Sequence, residues 1–137
     1  MFTLIKILGS GKGVPEPKRI TLTEAVSVRY GTPAVLADGR LTPVTSASTS
    51  PATHLLMADC EGSEALVARI TPDMIFETRL SGSPEGLREG TEYLLTADGE
   101  GVSTTAASGT ARGACLYDAC GATADGDPVL VYFQNGL

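Results

Sequence analysis

The chain has 137 residues, of which 42% are hydrophobic and 19% charged, and its formal net charge is −6. That length suits a single domain with a buried core. The acidic balance argues against nucleic acid and against anionic membrane surfaces as partners, because both are bound by clustered Lys and Arg.

Turn-forming residues dominate the composition and predict a mainly β fold. The chain contains 16 glycines and 8 prolines, and only 5% of its residues are aromatic. Such a composition is typical of short strands joined by many turns.

The chain begins with an apolar run, residues 1–8, which a glycine-rich stretch follows at residues 9–13. A phosphate-binding loop would need a helix directly after its glycines, but Pro15 and Pro17 oppose one. We therefore predict that residues 1–18 form an extended arm with a glycine hinge. The run contains a lysine and lacks a basic leader, which is not typical of a signal peptide.

Two segments of the chain resemble each other. Gly31 and Asp38 in the segment 29–39 match Gly90 and Asp98 in the segment 88–99, each glycine being followed by threonine and each aspartate by glycine. The similarity continues more weakly and predicts pseudo-repeats at about 20–70 and 80–133. Asp-Gly favours a type I′ hairpin turn, so we interpret both aspartates as structural.

Together these features predict one β-domain, residues 19–137, behind the arm. Two hairpin units that cannot each bury a face alone would pack into a small β-barrel or β-sandwich.

Residues suited to catalysis or metal binding are sparse, and we predict no catalytic, cofactor or metal site. His54 is the only histidine, and no nucleophile motif accompanies it. Asp125 and Asp127 lack the later glutamate of a calcium loop and suggest a turn instead. The cysteines are widely spaced, which favours free thiols in a reducing compartment; they are Cys60, Cys115 and Cys120.

Three stretches give the chain a resemblance to the small head decoration proteins of tailed bacteriophages, which stabilise the capsid. They are residues 26–42, the Ala-Asp-Gly at 97–99 and the ending 126–133. The resemblance covers roughly residues 20–133. It implies a β-rich virion structural protein, commonly a homotrimer, that is made in the bacterial host cytoplasm and binds the major capsid protein at the capsid surface.

The same resemblance implies that the arm docks on capsid protein or on a neighbouring subunit by adding a strand. The residues expected to contact the partner are Phe2, Leu4, Ile5, Ile7, Leu8, Lys12 and Val14.

Other functions remain open at this point. The chain could be a head-fibre base or tail component, or a β-rich domain for binding or assembly outside viruses. A small trimeric nucleotide hydrolase is less favoured, because Asp38-Gly39 and Asp98-Gly99 lack the tyrosine context of such enzymes.

Overall fold

The computed structural model describes residues 1–8 and 16–134, and every regular element in them is a β-strand. The strands are β1 Thr3–Ile7, β2 Lys18–Val28, β3 Pro33–Ala37, β4 Arg40–Pro43, β5 His54–Leu56, β6 Cys60–Arg69, β7 Met74–Ser81, β8 Glu92–Leu95, β9 Val102–Ala106, β10 Ala114–Asp118 and β11 Pro128–Tyr132. The predicted mainly β fold is confirmed. No helix within these ranges is long and apolar enough to cross a membrane.

The strands form two sheets with the same internal order. The first sheet runs β2-β6-β5-β3-β4, and the second runs β7-β11-β10-β8-β9 with β1 added beside β7. Each of the strands β2 to β6 corresponds to the strand five places later in the chain, from β7 to β11. With this correspondence the strand order of the first sheet is identical to that of the second. Two repeated units are therefore present, but the second begins with β7, Met74–Ser81, most of which the expected bounds of about 80–133 left out, and β1 lies outside the repeat.

Each sheet curls until the strands at its two ends approach each other. In the second unit β9 pairs with β7 in parallel at Leu80 and Val102, which closes a five-stranded barrel. In the first unit a backbone hydrogen bond of 2.9 Å, from Thr23 N–H to Gly39 C=O, joins β2 to the turn between β3 and β4. We call these units the first and second barrels.

The repeated Gly-Thr dipeptide makes the same backbone contacts in both barrels. Gly31 N–H donates to Leu56 C=O at 2.8 Å, and Gly90 N–H donates to Leu116 C=O at 2.7 Å. The following threonine accepts a hydrogen bond from the same leucine in each case. Both glycines have φ near +80° in the left-handed region, at +79° and +84°, which explains why glycine recurs there.

The two Asp-Gly turns differ. Asp38 and Gly39 have φ of 53° and 73°, which confirms the predicted type I′ turn. Of Asp98 and Gly99, only Gly99 is left-handed, with φ of 72°, so the type I′ prediction is wrong for Asp98. The loop there is longer, spanning residues 96–101, and Thr96 N–H closes it on Gly101 C=O at 2.9 Å.

Buried side chains form two clusters, one inside the first barrel and one that joins the barrels. The larger cluster includes Val44, Leu55 and Ile70 from the first repeat together with the interior of the second barrel. Leu55 alternates with Leu56, which points into the first barrel instead, so that β5 contributes to both clusters.

Candidate partner-binding surface at the N-terminal strand

The first strand is part of the domain. β1 pairs antiparallel with β7 of its own chain, from Thr3 opposite Glu77 to Ile7 opposite Met74. The arm expected to separate from the domain is therefore a strand of the second sheet over residues 3–7. Its connection to β2 includes residues 9–15, which lie outside the described residues.

The physical reason is the burial of Phe2. This side chain has no exposed surface. Its ring centroid lies 5.6 Å from that of Phe133, which in turn lies 5.4 Å from that of Phe76 in an edge-to-face arrangement. Pulling β1 away would expose a full aromatic side chain to water, so the strand is stabilised where it lies.

Backbone hydrogen bonds hold both ends of β1. Phe2 N–H donates to Gly31 C=O and Leu8 N–H donates to Asp73 C=O, each at 2.8 Å. A Cβ on Gly31 would fall 2.3 Å from Cγ of Met1, so Met1 packs directly on this glycine. The start of the chain thus bridges the two barrels.

The residues predicted to contact a partner divide into four groups. Phe2 is in the core and presents no surface, which excludes it from a surface contact while β1 is in place. Leu4 and Ile7 are half-buried against the same core. Ile5 and Leu8 are exposed, at 46% and 38%. Lys12 and Val14 lie outside the described residues.

Exposed apolar side chains are concentrated at this strand. The large hydrophobic residues exposed among residues 1–8 and 16–134 are Met1, Ile5, Leu8 and Tyr30. Three of them belong to the first eight residues, and Tyr30 precedes Gly31, on which Met1 packs. We call these four residues the apolar edge.

Ile5 is exposed because of a β-bulge. The register skips from Leu4 opposite Phe76 to Lys6 opposite Ile75, so Ile5 has no partner residue in β7. β1 is also the last strand of its sheet, and on its far side no described strand pairs with it. An edge strand of this kind can accept a strand from another chain.

Charged side chains around the apolar edge contribute little to stability. The ammonium of Lys6 lies 5.1 Å from the ring centroid of Tyr117, which attaches β1 to β10 by a cation–π contact. Arg29 and Glu100 form an ion pair of 3.7 Å, but both side chains are more than half exposed and strongly screened.

The sequence did not point to Met1 or Tyr30 as surface residues. Tyr30 lies beside the Gly-Thr dipeptide, and its counterpart in the second repeat is Glu89. The charged residue at the equivalent position of the other repeat was the available signal that Tyr30 lies at the surface.

The carboxylates considered for calcium serve as hydrogen-bond acceptors, Asp127 within its own turn and Asp125 from the loop after β7. Asp125 accepts from Gly82 N–H at 2.8 Å. Asp127 accepts from Thr123 N–H at 2.9 Å and Ala124 N–H at 3.1 Å, and these bonds hold its pKa below the usual range. The turn interpretation of this segment therefore has direct structural support.

His54 and the cysteines are placed apart from one another. Burial, followed by the charge of Arg69, lowers the pKa of His54, whose Nδ1 lies 2.9 Å from Thr53 Oγ1. Cys60 and Cys115 are buried and Cys120 is exposed, all as free thiols. Within residues 1–8 and 16–134, no group of three or more His, Cys, Asp or Glu residues could hold a metal ion.

A depression of about 720 Å³ lies beside β3, β4 and the loop after them. Alanine, serine, threonine and proline form most of its lining, and Arg40 is its one charged residue.

Comparison with known proteins gave no match to a family model, to a curated protein or to a solved structure. The apolar edge is therefore the best-defined candidate site.

Proposed function

We propose that this chain is a structural protein of a tailed-bacteriophage head, which binds the outer surface of the capsid and stabilises it. The observation that carries the proposal is the apolar edge, because four exposed apolar side chains at or near β1, whose outer edge is not paired with a described strand, are suited to binding a protein partner. The resemblance to decoration proteins in residues 26–42, 97–99 and 126–133 identifies the class of partner.

In this proposal β1 stays in its own sheet and its free edge receives an extended segment of the major capsid protein. Ile5 and Leu8 are exposed there, at 46% and 38%, and would be covered by the incoming segment. This version differs from the expectation that the arm itself leaves the domain, since Phe2 keeps β1 in place.

Stabilisation would then follow from mass action. A protein that binds the mature shell more tightly than its looser precursor shifts the equilibrium towards the mature form. A homotrimer would engage several capsid subunits at once, so weak individual contacts would add up to a large effect. A catalytic site is not needed for this function.

Co-sedimentation with empty heads tests the proposal. The heads are assembled from the major capsid protein of the same genome and mixed with the wild-type chain, with an Ile5→Ser/Leu8→Ser double variant and with Ala106→Ser as a matched control. Ala106 is exposed on β9. We expect saturable binding by the wild type and the control, and binding at least about tenfold weaker by the double variant.

Each alternative result has a defined meaning. Absence of wild-type binding would refute the capsid role and favour a binding or assembly domain elsewhere. Equal binding by the wild type and the double variant would retain the capsid role but refute docking at the apolar edge.

A further inference from the structure

The duplication allows each position in the first barrel to be compared with its counterpart in the second. In the first barrel Lys18 lies opposite Val67, and in the second Phe76 lies opposite Val131. Val67 and Val131 are both buried, with 2% and no exposed surface respectively. Because residues directly opposite each other share a face of the sheet, Lys18 occupies the position of Phe76.

The next residues on this face also correspond. Arg69 stands two residues after Val67, as Phe133 stands two residues after Val131. Opposite Arg69 lies His54, whose counterpart by register is Ala114. We call Lys18 and Arg69, together with the adjacent His54, the cationic mouth of the first barrel; its charge comes from Lys18 and Arg69, because burial and Arg69 lower the pKa of His54.

In the second barrel this position is filled by the N-terminal strand. β1 pairs along β7, and Phe2 packs against Phe133 beside Phe76. The strand thus closes one end of that barrel with an apolar side chain, and no surface of Phe2 remains exposed.

In the first barrel the corresponding position has no strand among the described residues. β2 is the terminal strand of its sheet, and its hydrogen bond to Gly39 is formed further along, at Thr23. Lys18 and Arg69 are exposed, and neither forms an ion pair with another described residue. By the register of β2 and β6, Lys18 and Arg69 are diagonal neighbours, in a chain whose formal net charge is −6.

We propose that the cationic mouth binds an acidic, extended segment of a partner protein. The segment lies along the free edge of β2, as β1 lies along β7, and places a carboxylate where Phe2 lies in the second barrel. Arg69 offers paired N–H donors to that carboxylate, and Lys18 adds a second charge. The backbone of Lys18 faces Val67 of β6 and Pro17 lacks an N–H group, so pairing along the free edge of β2 starts at Arg19 and involves only a few residues.

This site is separate from the apolar edge and does not depend on the capsid role. The two surfaces differ in chemistry, since the apolar edge is hydrophobic and the cationic mouth is charged. Binding at the cationic mouth should therefore weaken as ionic strength rises, whereas binding at the apolar edge should not.

The probe is a short fluorescein-labelled peptide that alternates glutamate and threonine, titrated with the full chain while fluorescence anisotropy is recorded. A peptide that alternates glutamine and threonine is the neutral control. Lys18→Gln and Arg69→Gln are compared with Arg88→Gln, a variant of an exposed arginine in the loop after β7. Circular dichroism verifies that each variant is folded.

We expect saturable binding of the acidic peptide, with Kd raised about tenfold, or about 1.4 kcal/mol, by each of the two mouth variants. Arg88→Gln should leave Kd unchanged, and the neutral peptide should bind far more weakly. Absence of saturable binding, equal affinity for the neutral peptide, or an equal loss in Arg88→Gln would each overturn the proposal.

Discussion

Replacing Phe2 with alanine should destabilise the whole domain, although the residue is next to the start of the chain. Phe2 has no exposed surface, and it packs in the cluster that joins the two barrels. Terminal residues usually tolerate substitution because few contacts hold them. Phe2 is an exception because its ring contacts that of Phe133.

The magnitude follows from the buried area. Truncating a buried phenylalanine to alanine removes about 150 Å² of apolar contact, or about 4 kcal/mol at about 25 cal/mol per Å². Measured Phe→Ala substitutions in cores cost about 3–5 kcal/mol. We expect a loss in this range, which is a large fraction of the total stability of about 5–15 kcal/mol that is typical of a domain.

Urea unfolding followed by circular dichroism and tyrosine fluorescence measures the loss, since the chain has no tryptophan. Ile5→Ala is the matched control in the same strand, because Ile5 is 46% exposed, and it should cost at most about 0.5 kcal/mol. A loss below about 1 kcal/mol for Phe2→Ala would refute the conclusion that β1 is an integral strand of the domain.

Three further predictions use single substitutions and chemical probes. Gly99→Ala should cost about 1–3 kcal/mol more than Gly90→Ala in urea unfolding, because both glycines are left-handed but only a Cβ on Gly99 would meet a backbone oxygen, at 2.5 Å. Cys120 should react with a thiol reagent in the folded protein while the two buried thiols react only after unfolding, as a stopped-flow absorbance trace would reveal. The hydrogen bond from the Thr96 hydroxyl holds the pKa of Asp98 below its usual value. Its contribution is therefore present above the carboxyl range and lost as the pH falls through it. Asp98→Asn should accordingly lower the urea midpoint at neutral pH, and its difference from the wild type should shrink at about pH 3.

The duplicated fold could be predicted because its signals are local. Gly31 and Gly90 recur because the backbone needs a left-handed residue before each of the equivalent strands, β3 and β8. Asp38 and Gly39 mark a hairpin for a similarly local reason. The mainly β fold and the two repeats could therefore be derived from residue types and spacing.

The position of β1 could not be derived in this way. Pairing between strands that are far apart in the sequence depends on the shape of the finished core. A window of about ten residues does not contain that information. The bulge at Ile5 also breaks the alternation that would have separated the buried side of β1 from its exposed side. For this reason the sequence could not separate the exposed Ile5 from the buried Phe2, although both were expected to contact a partner.

The contact between Phe2 and Phe133 has a consequence for the order in which the protein is made. On the ribosome Phe2 emerges before β2 to β11, but its partner ring Phe133 follows β11. The first barrel, built from β2 to β6, can assemble earlier from its own strands. β1 must therefore wait, with its apolar side chains accessible to chaperones, until the last strand of the second barrel has been synthesised.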